Sequence, residues 1–402
     1  MIKSFAKNKI MIIGAGKFQL PAILKAKEMD LTVLATDKDP DAVGFQFADY
    51  PSVVDIKDVG ENTNLARQHK VNGILSIVSE LGVRTQAAVA QELGLPGLKT
   101  EAAFAVTNKA RMREIFKKHR LPSPQFYIVR TRNEANKAIR SLGLPVVMKP
   151  TDNAGSRGVS KIDRLEDLDF SFELAKAHTL SGEIIVEKFM EGEEMTIEAI
   201  SYRGEHEILA MSNKKRIPFP YCVSIDLTYS PPHEIKLQQE VRQLMKKALT
   251  VLGLDYGASH SEVMLTKSGP FLVEVAGRGG GFGIFSDIIP KISGVDIVKQ
   301  CINIAMGYEV DIKVRYQKAA VLRFFTPPPG KILGISGLEE ARFIPGVSKI
   351  ELDVKVGDVL QPIRRDGERP GLMIVFGDDR EEAVAKADLV EKTVKFRIEE
   401  RK

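Results

Sequence analysis

At 402 residues, 44% hydrophobic and 28% charged, the chain is long enough for two to four structural units and has the balance of a soluble globular protein. No apolar run approaches the ~18 residues of a membrane span, and a net charge of +5 from dispersed Lys and Arg implies no nucleic acid while leaving small anions welcome. Cys222 and Cys301 are too few for a disulfide framework, and the basic start breaks at Gly14 without a cleavage site, so the expected setting is the cytoplasm, with no membrane partner.

Residues 1–107 alternate strand-length apolar runs with helical patterns. Residues 10–13, 31–35 and 73–78 read as strands and 19–29 and 81–93 as helices, the alternation of a parallel sheet with crossover helices. The first strand runs into Gly14-Ala15-Gly16-Lys17-Phe18-Gln19, and Asp37 ends the second at the distance of a dinucleotide fold's ribose acid. Gln19 stands where that fingerprint has its third glycine, so packing of the strand–helix turn is favoured over nicotinamide binding. Glu80 follows the third strand at the sheet edge where ligands of open α/β folds bind. It is a substrate-contact candidate, with partnership to its own helix dipole as the equal alternative.

A helix predicted over 108–119 carries Lys109, Arg111 and Arg113, and Leu121-Pro122-Ser123-Pro124 links it onward. Strands over 125–129 and 145–149 flank a helix over 132–142. Lys149 closes the second strand, and a buried ammonium there demands an anion. The loop 151–159, built on small residues around Gly155, Ser156, Arg157 and Gly158, can aim backbone N–H groups at phosphate oxygens. It is not a P-loop, whose G-x-x-x-x-G-K-[ST] pattern occurs nowhere in the sequence.

Residues 183–190 read as a strand, followed by an alternating strand over 195–201 that pairs with 208–212 across Arg203-Gly204. Residues 213–232, rich in proline, aromatic and basic residues, read as a long functional loop and the seat of specificity. A helix over 234–252 precedes two acid-bearing strands, and 295–306 is another helix. Short strands follow at 319–325, 350–354 and 372–376, with a hard turn at 327–330 and a closing helix over 380–395.

The acid-bearing strands are His260-Ser261-Glu262-Val263-Met264-Leu265 and Pro270-Phe271-Leu272-Val273-Glu274-Val275, the latter running on through Ala276 and Gly277 to Arg278-Gly279-Gly280-Gly281. As antiparallel neighbours they place Glu262 beside Glu274. Two carboxylates so held repel unless a cation lies between them, and such oxygens are the usual protein share of a magnesium site. An ordinary hairpin with two surface acids is the alternative. The glycines after Arg278 let backbone approach a substrate, a flexible hinge being the other reading.

In chain order, Lys109, Lys149 with its small-residue loop, Glu187-Lys188-Phe189-Met190, Glu194, Glu262, Glu274 and Arg278 resemble the ATP-grasp superfamily over nearly the whole chain. The likeness is greatest to the carboxylate-amine ligase branch that includes biotin carboxylase, the formate-dependent glycinamide ribonucleotide transformylase and L-amino-acid ligases. The resemblance implies an α/β fold, α+β in its later parts. Its units would be an N-terminal parallel domain (1–107), a small subdomain with lid (108–190), a large subdomain with a central antiparallel sheet and the metal site (191–310), and a β-rich C-terminal subdomain (311–402).

The same resemblance implies site roles. Lys109 and Lys149 would reach the α and β phosphates of ATP, and loop 152–159, with Gly155, Ser156, Arg157 and Gly158, would close over the β and γ phosphates. Glu187, Lys188, Phe189 and Met190 would form the adenine clamp, and Glu194 would take the ribose hydroxyls. Glu262 and Glu274 would hold Mg2+ or Mn2+, and Arg278 would face the acyl phosphate, with Glu80, Gly279 and Gly280 around the substrate. Lys149, Glu274 and Arg278 form the catalytic set. The family's Glu-x-Asn-x-Arg pattern has Ala276 at its asparagine, leaving a second metal one protein ligand short.

The implied activity is ADP-forming ligation of a small carboxylate, an amino acid being one candidate, to an amine through an acyl phosphate, in a homodimer. The rivals are a biotin-carboxylase-like enzyme, which would need a biotinylated partner, a carbamoyl-phosphate-type enzyme using bicarbonate, and an ATP-binding sensor without turnover.

Overall fold

The computed structural model describes residues 8–153, 155, 157–219 and 221–399, so Ser156 lies outside the described residues. The N-terminal sheet is parallel, with strands in the order Tyr50–Val53, Thr32–Asp37, Lys9–Ile13, Gly73–Leu75. Its central strand is apolar on both faces, with Ile10 to Ile13 fully buried, because helices such as Leu20–Glu28 and Glu80–Leu93 cover it. The glycine turn after it is closed by the chain itself. Asp37 accepts from the Ala15 N–H at 2.9 Å, and the Gln19 amide donates to the Ile77 carbonyl at 3.1 Å. Gly14 has a φ of +95°, and a Cβ there would stand 3.0 Å from Gln19 Cγ. The glycines and Asp37 therefore serve the turn's own packing.

A second sheet, antiparallel in the order Phe126–Val129, Ile184–Lys188, Val146–Pro150, Ser160–Ile162, is backed by helices Arg132–Leu142 and Leu168–Lys176. Ala135, Ala138, Ile139 and Phe172 pack there against Val129, Val146, Met148 and Val186. Thr131 and Glu134 form a reciprocal capping box that starts the first of these helices.

The third sheet has eight strands in the order Gly269–Ala276, Tyr256–Thr266, Glu193–Tyr202, Glu205–Arg216, Ser224–Tyr229, Ala319–Phe324, Gly371–Gly377, Val347–Leu352. It runs without interruption past residue 310, since Ser224–Tyr229 pairs with Ala319–Phe324. One face is covered by helix Ile235–Leu252, whose Val241, Met245, Ala248 and Leu249 pack with Ile197, Ala199, Val263 and Leu272. On the other, Ile200, Leu209 and Leu227 join a core that includes Ile10 and Ile12 of the parallel sheet. A small sheet of Val359–Leu360, Gly330–Ser336 and Lys395–Ile398, with helix Arg380–Thr393, completes the C-terminal part. Among the described residues no helix is long and apolar enough to cross a membrane.

The expected loop over 213–232 is instead largely strand. Glu205–Arg216 continues through the basic run, and Ser224–Tyr229 returns against it, leaving 217–223 as the tip. Its alternation is hidden in the sequence because the inward positions carry charge: Lys214 and Arg216 both turn to Glu194.

Candidate active site

Glu262 stands directly opposite Glu274 across the two antiparallel strands. Each carboxylate is met by an ammonium from elsewhere in the chain. Lys109, at the start of helix Lys109–Lys118 and behind its Asn108 cap, reaches Glu274 at 2.8 Å and donates to the Asn153 carbonyl at 2.8 Å. Lys214 bridges Glu262 at 2.5 Å and Glu194 at 2.7 Å. Burial pushes the Glu262 carboxyl up, but Lys214 outweighs it and holds it down at about 2. Burial likewise opposes the charge on Lys109, and Glu274 with Glu80 more than restores it, leaving the ammonium raised. No group of three or more His, Cys, Asp or Glu side chains gathers around a point among the described residues. A hard ion here would take the two carboxylates from the protein and its remaining oxygens from phosphate and water, the usual arrangement for Mg2+.

The acids line a cavity of about 770 Å³, within the range of small-molecule sites. At its far end Lys149 pairs with Glu187 at 2.8 Å, and Arg113, 1% exposed, takes the other Glu187 oxygen at 2.7 Å. Lys149 has thus found the anion its buried position demanded. Burial raises the Glu187 carboxyl, but Arg113 and Lys149 together hold it below the ordinary range. Both oxygens of Glu194 are engaged, by Lys214 and by Arg216 at 2.6 Å. Phe189 and Met190 line the cavity, and the Phe189 ring meets Phe219 of the hairpin tip edge-on, with centroids 6.0 Å apart. Lys188 lines it too, but its ammonium donates to the carbonyls of Gly143 and Leu144. Gly155 and Arg157 face the cavity. Gly158, expected at the phosphates, has φ +76°, and a Cβ there would lie 2.9 Å from His178 and Pro150.

At the opposite end Arg278 lines the cavity, donating from Nε to Glu80 at 3.1 Å and from Nη1 to the Gly279 carbonyl. Glu80 is also in the first turn of its helix, behind the Ser79 cap. Gly279 and Gly280, expected around the substrate, pack closely against the chain itself. A Cβ at Gly279 would stand 2.1 Å from Phe285, and one at Gly280 would stand 2.8 Å from Ile284 and 3.1 Å from His260 Nδ1. These glycines admit the chain's own side chains, and Gly281 is the one that faces the cavity.

Several cavity residues carry no sequence signal of comparable strength. Arg113 and Lys109 share a helix face at i, i+4 spacing, and Lys214 and Arg216 share a strand face at i, i+2. His260 is the cross-strand partner of Ala276 and bonds Glu198 at 2.6 Å. Arg369 enters from the C-terminal part. It packs against the edge-to-face pair of Phe324 and Phe282, 3.6 and 4.4 Å from their centroids, and burial lowers its guanidinium to about 10.

Comparisons with known proteins agree with this geometry. A family profile described as ATP-grasp domain matches residues 142–286, and one described as L-amino acid ligase C-terminal domain 2 matches residues 323–399. The chain is 25% identical over 392 residues to a formate-dependent phosphoribosylglycinamide formyltransferase of a Synechococcus species, covering 94% of each. It is 27% identical over 260 residues to the alanine–anticapsin ligase of Bacillus subtilis, covering 58% of this chain and 54% of that one. The crystal structure of an L-amino acid ligase from Bacillus licheniformis superposes with a TM-score of 0.84 at 20% identity, covering 99% of this chain and all of the other, a likeness of fold. Both profiles fall on the sheets that build the cavity, so the chain is similar to ATP-grasp proteins over residues 142–286 and to L-amino acid ligases over residues 323–399.

Proposed function

We propose that the chain is an ATP- and Mg2+-dependent ligase that activates a small carboxylate as an acyl phosphate and passes the acyl group to an amine, releasing ADP and phosphate. The observation that carries this reading is the Glu262–Glu274 pair, standing in one cavity that Lys109, Lys149 and Arg278 also line. A divalent ion held by the two acids would supply neutralisation of the phosphate oxygens.

The chain's own residues supply the rest. Lys109 and Lys149 trade their present carboxylate partners for phosphate oxygens, and Phe189, Met190 and Phe219 offer an apolar seat for the base. Arg278 presents a planar fork to the substrate carboxylate and orients one oxygen toward the γ-phosphorus. That oxygen takes the phosphoryl group as ADP departs with the electrons of the broken P–O bond. The amine nitrogen then bonds the acyl carbon, and the phosphate leaves with the electron pair of the C–O bond. Positioning and charge neutralisation suffice for this, and no protein nucleophile is required.

An L-amino acid ligase type of C-terminal domain supports an amino acid as one substrate. A homodimer, expected from the family resemblance, belongs to the same reading. The test is ADP release measured over a panel of amino acids, small carboxylates and bicarbonate, with and without amines. The expected result is release that depends on Mg2+ and on a particular acid. Release that requires bicarbonate and biotin, or none with any acid, would reject the proposal.

A further inference from the structure

We propose that His260 is the residue that receives the amine, its Nε2 accepting an N–H of the nucleophile and aiming the nitrogen at the acyl carbon; this rests on the ligase reading above. His260 pairs with Ala276, two residues along each strand from the Glu262–Glu274 pair, on the side toward Arg278. Alternate residues of a strand share a face, so the imidazole stands on the same wall as the two acids. The small side chain of Ala276 opposite leaves room in front of it.

The ring is held from behind. Glu198, on the neighbouring strand directly opposite His260, is 2% exposed and does not line the cavity. Its Oε1 lies 2.6 Å from His260 Nδ1, with the Tyr229 hydroxyl at 3.5 Å on the same oxygen. A carboxylate only accepts, so Nδ1 is the nitrogen that carries a hydrogen toward Glu198, and Nε2 is the ring nitrogen left for a ligand. Gly280 closes against the Nδ1 edge, since a Cβ there would come within 3.1 Å of it. The side chain is 16% exposed and lines the cavity.

The cavity's chemistry says what Nε2 meets. Phosphates and the substrate carboxylate only accept hydrogen bonds, and the surrounding Lys and Arg side chains suit them. The ribose hydroxyls belong at the Glu194 end. The attacking amine brings N–H donors to the acyl carbon near Arg278, and an acceptor on the wall beside the two acids matches it. In the step served, the C–N bond forms and the C–O bond to phosphate breaks. The departing phosphate takes that electron pair and the nitrogen's surplus proton.

The test uses the full chain with ATP, Mg2+ and an acid and amine found in the ADP-release panel, following amide formation and, in parallel, hydroxamate formation with excess hydroxylamine. Hydroxylamine is small and unprotonated at neutral pH and needs no orienting acceptor. His260→Asn is expected to keep hydroxamate formation near the wild-type rate while amide formation falls about 100-fold, the scale of a misplaced reactant. Glu198→Ala is expected to give the same split as a positioning defect. Glu198→Gln, whose amide oxygen still accepts from Nδ1–H, should recover part of it. Wild-type amide formation in His260→Asn, or an equal loss of both products in His260→Asn and Glu198→Ala, would overturn the proposal. Absence of hydroxamate in the wild type would instead reject the ligase reading, and this one with it.

Discussion

Glu262 and Glu274 are cross-strand partners, and each already holds a lysine, Lys214 on one and Lys109 on the other. The two like charges are thus neutralised by ammonium groups from elsewhere in the chain. If Glu274 helps hold the cation that neutralises the phosphate oxygens, Glu274→Gln should lower ADP formation by roughly 1,000-fold, several kcal/mol of lost charge stabilisation. ATP affinity should fall far less. Coupled ADP release and calorimetry separate the two, and near-normal turnover in the variant would remove Glu274 from the metal site.

Lys214 makes a second expectation. Its ammonium competes with a metal ion for Glu262, and its own charge is reinforced there: burial disfavours it, but Glu194 and Glu262 raise it well above the ordinary value. Replacing it by glutamine frees the carboxylate, so Lys214→Gln should bind Mn2+ in the absence of nucleotide about tenfold more tightly, the equivalent of ~1.4 kcal/mol. An unchanged Mn2+ titration would place the metal elsewhere.

At the nucleotide end, Lys149→Ala should weaken ATP binding by ~1.5–3 kcal/mol, the range for hydrogen bonds to charged groups. Calorimetry with ATP reads this directly. Unchanged affinity would mean that Lys149 serves Glu187 alone.

Glu187 ties that end to stability. Its carboxyl is pushed up by burial and held lower overall by Arg113 and Lys149, below the ordinary 4.5. On acidification the unfolded chain therefore takes up this proton before the folded one does. The stabilisation is fully present above about pH 4.5 and is lost as pH falls through the depressed folded value. Glu187→Gln should flatten that acid limb. It should also destabilise the protein at neutral pH by ~3–5 kcal/mol, because two buried cations lose their partner. Urea unfolding midpoints across the acid range check both effects, and an unaltered acid limb would show that the carboxyl is not held by these partners.

The sequence made some of this legible and hid the rest for identifiable reasons. The parallel N-terminal sheet showed in apolar runs alternating with helical ones. The pairing of the two acid-bearing strands showed in the short turn at 266–269, but that turn alone would set Glu262 against Val273; a register shift between Glu262 and Val263, which no residue announces, brings Glu262 opposite Glu274. The strand carrying Lys214 and Arg216 was hidden, since its inward side is charged for the site rather than apolar for a core. Glu198 and His260 meet only because two strands far apart in the chain become neighbours, which no local pattern records. Gly279 and Gly280 illustrate a further limit. A run of small residues announces a close approach but not by what, and here it is Phe285 and Ile284.

The most direct test of the account is hydroxylamine trapping of the activated acid, with ATP, Mg2+ and the acid panel, in wild type and in Arg278→Lys. The account predicts an acid-specific hydroxamate in the wild type. In the variant, whose ammonium keeps the charge but lacks the planar fork, the hydroxamate should fall sharply while ATP affinity is nearly kept. No hydroxamate with any acid, or one fully retained in Arg278→Lys, would contradict it.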